Sequence, residues 1–180
     1  MLASPNHANF VYDGDFSDSP PPATAPDVNP GAALIERDFV DYFDSAGVAT
    51  EPTAFDGRSD YKAFQDNGVA AGGLFSGAEV AKNAAQVAKW GGELGVAFDH
   101  CYHQACDDIN NLDLAGYDTL ADGGAHVLAL LAEDSALRDS LGGGATVATA
   151  AKKSLTAAQK RRLKARKAKM AEYRGSKLAR

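Results

Sequence analysis

The stretch Cys101-Tyr102-His103-Gln104-Ala105-Cys106 sets a phenol beside an imidazole, between two cysteines close enough in sequence to close a small ring. Such a ring would hold the histidine still. A fixed histidine could bind a metal through one ring nitrogen while the tyrosine hydroxyl donates to an oxyanion. It could equally act as a general acid or base, or stand as an ordinary loop residue in a stapled turn. A zinc site built from the two cysteines themselves is disfavoured, because a C-x4-C pair without a second Cys or His pair lacks the usual ligand spacing. If the two cysteines are bonded, the compartment is an oxidising one.

Several elements would have to position this loop. Asn9-Phe10-Val11-Tyr12 reads as a short strand, stopped by the turn former Asp13-Gly14-Asp15. Residues 17 to 30 hold five prolines and no core-forming pattern, which predicts a surface loop. Asn29-Pro30 supplies a cap and a first-turn proline, and Leu34, Ile35, Phe39, Tyr42 and Phe43 share one face, so an amphipathic helix is expected over about 31–46, ending at Gly47. A shorter helix is expected from Ser59 through Phe64 to near Gly68. Val69 to Phe75 reads as a buried strand whose Gly72 and Gly73 admit another group close to the backbone. Ser76 is expected to cap an Ala-rich helix that runs to about Trp90 and stops at Gly91-Gly92. A last helix is expected from about Asp113 to Glu133, with Leu114, Tyr117, Leu120, Ala121, Val127, Leu128 and Leu131 favouring one side and Gly123-Gly124 weakening it. Strands separated by helices of these lengths predict an α/β domain with a partly parallel sheet, although two or three strands are few for a sheet covered on both faces.

Charge divides the 180 residues unevenly. Residues 151–180 carry twelve Lys and Arg against one acid, or +11, while the first 150 carry six against 23, or −17. The tail from Ser154 onward is built of helix formers with too few large apolar residues to bury, so it reads as a solvated basic extension, or else as a contact for nucleic acid or another anionic surface. Residues 141–153, rich in Gly and Ala, read as a linker between it and residues 1–140. No stretch approaches the roughly 20 apolar residues of a membrane span. Met1 to Asn6 lacks a basic start followed by an apolar run, so no export signal is expected there.

Five segments in order then resemble one family. They are Met1 to Asn6 with Phe10-Val11-Tyr12-Asp13; Phe55-Asp56-Gly57-Arg58-Ser59-Asp60-Tyr61; Gly72-Gly73-Leu74-Phe75-Ser76-Gly77-Ala78; Ala88-Lys89-Trp90-Gly91-Gly92; and Phe98-Asp99 through Cys101 to Asp107. Together, over roughly residues 1–132, they resemble the secreted di-zinc aminopeptidases of metallopeptidase family 28. The resemblance implies the C-terminal portion of a mixed, mostly parallel-sheet zinc-peptidase domain of the phosphorylase/hydrolase-like kind. It implies that His103 is a zinc ligand, that Tyr102 stabilises the oxyanion, that Gly57 and Arg58 contact the bound peptide, and that Phe75 lines the pocket for an apolar N-terminal side chain. It also implies a Cys101–Cys106 disulfide and secretion. Asp118 and Asp122, four apart on the last helix, resemble a calcium-binding pair, although a solvated acidic pair is the commoner meaning of that spacing.

The departures matter as much. The family's other zinc ligands and its general-base Glu find no counterpart here: His7, His100 and His126 lie outside any matching motif, and no adjacent Glu pair occurs. The match of Met1 to an internal family position favours a natural N-terminus further upstream. A catalytic zinc needs about three protein ligands and an open position. The expectation is therefore a peptide-hydrolysing aminopeptidase by family whose isolated 180-residue chain is inactive, the alternative being a non-catalytic scaffold with a basic tail that contacts an anionic partner.

Overall fold

A computed structural model describes residues 3–19 and 29–133. The expected linker and basic tail lie outside the described residues. The fold is α/β around a small mixed sheet. Strand β1 (Phe10–Tyr12) is its centre, pairing in parallel with β2 (Glu51–Thr53) and antiparallel with β3 (Leu74–Phe75), so the order is β2-β1-β3. Helix α1 (Pro30–Ala46) connects β1 to β2 and packs on both β1 and α4 (Leu114–Glu133); α2 (Tyr61–Asp66) and α3 (Ala84–Trp90) are short. No helix among the described residues is long and apolar enough to cross a membrane.

Helix α1 forms as its spacing predicts. The Asn29 side chain accepts the Gly31 amide at 2.9 Å and the chain leaves the helix through Gly47 at φ 69°, a left-handed turn that costs glycine little. Leu34, Ile35, Phe39, Tyr42 and Phe43 are all buried. Helix α4 meets α1 through small residues. A Cβ on Gly123 would lie 2.5 Å from Cζ of Phe43, so the missing side chain is what lets the ring in. On the other side of the sheet Phe10 gathers Phe98, Trp90 and Phe75, with ring centroids 5.3, 5.6 and 5.9 Å away. The Trp90 indole N–H donates to the Ala49 carbonyl at 2.9 Å.

Two expected elements come out differently. The strand expected over 69–75 is extended and paired only at Leu74–Phe75, and Val69 is half exposed. Gly72 does bear the close approach expected of it, since a Cβ there would strike Ile35 of α1 at 2.3 Å. The Ala-rich helix starts at Ala84, not Ser76. Its cap is Asn83, whose side chain accepts the Gln86 amide while the Gln86 side chain accepts the Asn83 amide, a reciprocal capping box.

The intervening residues are held extended by Lys82. Ala81 bridges Ala97, and the Lys82 amide donates to the Val96 carbonyl at 2.8 Å. The Lys82 side chain is buried, and its ammonium donates to the carbonyls of His7 (2.8 Å) and Gly91 (3.0 Å) above the ring of Phe98. Burial pushes its pKa down. Removing the ammonium would leave two inward carbonyls without their donor, and hydrogen bonds to charged groups contribute about 1.5–3 kcal/mol each. Lys82→Met is expected to lower unfolding free energy by about 2 kcal/mol, after allowing for the desolvation that the apolar side chain avoids. Urea denaturation followed through Trp90 measures this, and an unchanged midpoint would count against it.

Candidate functional site

The stapled loop is anchored from beneath. Cys101 and Cys106 form a disulfide, with Cys101 buried and residues 103–106 exposed. The buried Asp99 carboxylate accepts the Cys101 amide at 3.0 Å and the Asn111 side-chain amide at 2.9 Å. Asn111, in a 3-10 turn (Ile109–Asn111), also donates to Asp107 at 3.3 Å. On this base the Tyr102 and His103 rings stack, centroids 3.9 Å apart and planes 22° apart. His103 takes up a left-handed backbone conformation, φ 58°, which histidine adopts more readily than most non-glycine residues.

A second wall comes from the segment ahead of α2. The Gly57 amide donates to the Tyr61 hydroxyl at 2.7 Å, and that hydroxyl donates to Asp56 at 2.9 Å. The Arg58 amide donates to the same Asp56 carboxylate at 3.0 Å. These bonds fix the backbone of the Asp56–Tyr61 turn and aim the Arg58 guanidinium at Glu79, 2.7 Å away. The hydrogen bond that the guanidinium donates to Glu79 holds the Arg58 pKa above its usual value. Glu79 is held below the carboxylate range by its own backbone amide first, then by Arg58, with a smaller contribution from His103. Both side chains are more than half solvent-exposed or close to it, so the pair itself adds little to stability.

The third wall is aromatic. Tyr12 at the end of β1 stacks on Phe55 at 4.7 Å and meets Tyr61 edge-on at 4.9 Å, with Phe75 at 6.2 Å. Burial, then the neighbouring Tyr61, raises the Tyr12 phenol far above its usual range. Tyr61 is pushed up to about 12, by burial first and then by Asp56. Both phenols therefore stay protonated and able to donate near neutrality.

The residues singled out from sequence fall into two groups. Gly57, Arg58, Phe75, Tyr102 and His103 belong to these three walls, and Tyr102 lies close enough to influence the charges of both Arg58 and Tyr12. Asp118 and Asp122 lie elsewhere, exposed on α4. Among the described residues the one group of three metal-type ligands gathered within 4.8 Å is Asp13, Asp15 and Glu36. It contains neither His103 nor the α4 pair, and its all-carboxylate donors suit harder ions than zinc. His103 thus has no second and third ligand gathered around it among the described residues, and these residues do not by themselves make a zinc site. Nothing in the spacing of Glu79 separates it from a surface carboxylate. Tyr12 and Asp99 sit inside recognised motifs, but only the fold reveals which groups they hold.

Residues 4–128 match the model of peptidase family M28. The probable lipoprotein aminopeptidase LpqL of Mycobacterium tuberculosis is 46% identical over 134 residues, which is 74% of this chain and 27% of that protein. The probable leucine aminopeptidase 2 of Aspergillus oryzae is 47% identical over 116 residues, 63% of this chain and 22% of its own. An aminopeptidase of Pseudomonas aeruginosa is 45% identical over 131 residues, 73% and 24% respectively. The chain spans about a quarter of the length of these curated relatives. With the matched region covering more than half of its residues and the stapled Tyr-His loop inside that region, the chain belongs to peptidase family M28.

Proposed function

We propose that this chain supplies the substrate-binding side of a secreted zinc-dependent exo-aminopeptidase that releases apolar N-terminal residues from peptides. The reading rests on two groups of side chains, the stacked Tyr102–His103 pair on the stapled loop and the Tyr12, Phe55, Tyr61 and Phe75 rings, with Tyr102 near enough to act electrostatically on Arg58 and Tyr12. In this reading the Arg58 guanidinium, steadied by Glu79, donates to a carbonyl of the peptide. Phe75 contacts the apolar side chain, and the Tyr102 hydroxyl donates to the oxygen that gains charge as the peptide bond is attacked. A donor of that kind is worth about 10²–10³ in kcat. His103 contributes one ligand to a zinc set completed by residues that these 180 do not supply. The Cys101–Cys106 disulfide fits an exported protein.

Taken alone, the 180-residue chain is expected not to turn over peptides, because a zinc that activates water needs about three protein ligands. An assay with an aminoacyl chromogenic substrate and added zinc tests this. Turnover that survives purification and vanishes in His103→Ala would refute the inactivity. The protein purified from its natural source tests the activity itself: aminopeptidase turnover that falls about 10²-fold or more in Tyr102→Phe is expected, and full turnover in that variant would remove Tyr102 from the reaction.

A further inference from the structure

Glu79 and Arg58 join two segments that are each fixed by their own bonds. Glu79 lies between Ala78 and Val80, whose carbonyls accept the amides of Asp99 (2.8 Å) and Phe98 (2.9 Å). Gly77, at φ 93°, lets the chain pass this close, since a Cβ there would sit 2.3 Å from Cβ of Phe98. The backbone that carries Glu79 is thus bonded to the residues that lead into the stapled loop. Arg58 stands on the Asp56–Tyr61 turn, and its guanidinium meets Glu79 at 2.7 Å. Tyr102 is near enough to act electrostatically on Arg58, and His103 on Glu79. The pair therefore lies beside the stacked rings, its side chains 58% and 50% exposed.

An enzyme that removes one residue at a time encloses that residue and lets the rest of the peptide leave toward solvent. Apolar rings suit the enclosed side chain, and charged groups with half their surface in water face the part that emerges. Fixed charges at such a rim select by sign. Among the described residues, the carboxylates acting on Arg58 are Glu79 and Asp56, two negative charges around one positive. Asp56 is occupied by the Arg58 amide and the Tyr61 hydroxyl, which leaves Glu79 as the carboxylate on the guanidinium.

We propose that Glu79 sets the charge preference for the second residue of the peptide, the one just past the bond that is cut, an inference that rests on the aminopeptidase reading. With Glu79 in place the Arg58 guanidinium is engaged and the rim is negative, so an acidic second residue finds no free cation while a basic one is attracted. Without the Glu79 charge, Arg58 is released to pair with an acidic second residue. Glu79 acts through Arg58 and through the field at the rim, not on the reacting atoms.

The test compares the protein purified from its natural source with Glu79→Gln made in the same host. Each is assayed at low salt on Leu-Asp-Ala, Leu-Lys-Ala and Leu-Ala-Ala, with kcat and KM determined separately. An exposed charge contact changes binding by about two- to fivefold. Glu79→Gln removes one such attraction for Lys and frees another for Asp. The Asp-to-Lys ratio of kcat/KM is therefore expected to rise about tenfold, mainly through KM, and the rise should shrink at about 1 M salt. Glu79→Asp, which keeps the charge, is expected to keep the natural order. Glu79 is half exposed, so neither substitution disturbs the core. A merely structural role would slow all three peptides alike, and an unmoved ratio would overturn the inference while leaving the aminopeptidase reading intact. Failure of the natural protein to cleave even Leu-Ala-Ala would instead overturn that reading, and the inference with it.

Discussion

Phe43→Ala is expected to lower the unfolding free energy by about 3–5 kcal/mol. Phe43 is fully buried on α1, and its ring fills the gap that Gly123 leaves in α4. Tyr42 meets it edge-on at 5.2 Å and in turn stacks on His126 of α4 at 4.7 Å, so three rings across one helix pair depend on the same fit. Truncation removes the transfer energy of the ring and leaves a cavity that the surrounding structure closes only in part. Domains of this size are stable by only about 5–15 kcal/mol, so the loss would take a large share of the total. The neighbouring change carries a second, sharper expectation. Gly123→Ala alone should destabilise by overpacking, since its Cβ would press on Phe43 at 2.5 Å, yet in the Phe43→Ala background the same methyl enters an empty space. Urea denaturation of both single variants and the double variant gives the coupling. Strict additivity, or a cost under about 1 kcal/mol for Phe43→Ala, would mean that the two helices are not joined this way.

What the sequence made legible was what depends on local periodicity. Helix α1 announced itself through a cap, a first-turn proline and a face of large apolar residues, and α4 through its length. Strand β2 gave no such signal. Glu51-Pro52-Thr53 is short and holds a proline, and it forms a strand because among the described residues it lies along an edge, where β1 alone pairs with it and the missing amide costs nothing. The segment before α3 misled for the opposite reason. Its Ala, Glu and Lys residues are good helix formers, but Lys82 gains more by running its ammonium into the carbonyls of His7 and Gly91 than a turn of helix would give. At the candidate site the resemblance named Arg58, Tyr102 and His103 without showing what steadies them. Glu79 reaches Arg58, and Asn111 reaches Asp99, across separations that no periodic pattern encodes.

Asp99 is where loss of such a partner should be felt most at the site. Asp99→Ala removes the acceptor of the Cys101 amide and of the Asn111 side chain together, and each buried donor left without a partner costs about 1–3 kcal/mol. A total of about 3 kcal/mol is expected in urea denaturation, while Asp99→Asn, which keeps one acceptor oxygen, should lose roughly half of that. The disulfide would survive in both proteins, so the ring stays closed, but closure alone does not orient it. With the floor of the loop gone, the left-handed backbone at His103 loses the surroundings that enforce it and relaxes toward commoner conformations. The Tyr102–His103 stack is the readout. Ring-current shifts on the His103 protons should collapse in Asp99→Ala and persist in Asp99→Asn, and unchanged shifts in Asp99→Ala would place the control of the loop in the disulfide alone. The same distinction bears on the proposed chemistry. A hydroxyl that donates to a developing oxyanion, and an imidazole that binds a metal, must be held to within a few tenths of an ångström, and here a buried carboxylate fixes that position beneath a covalent staple that sets only the ring's size.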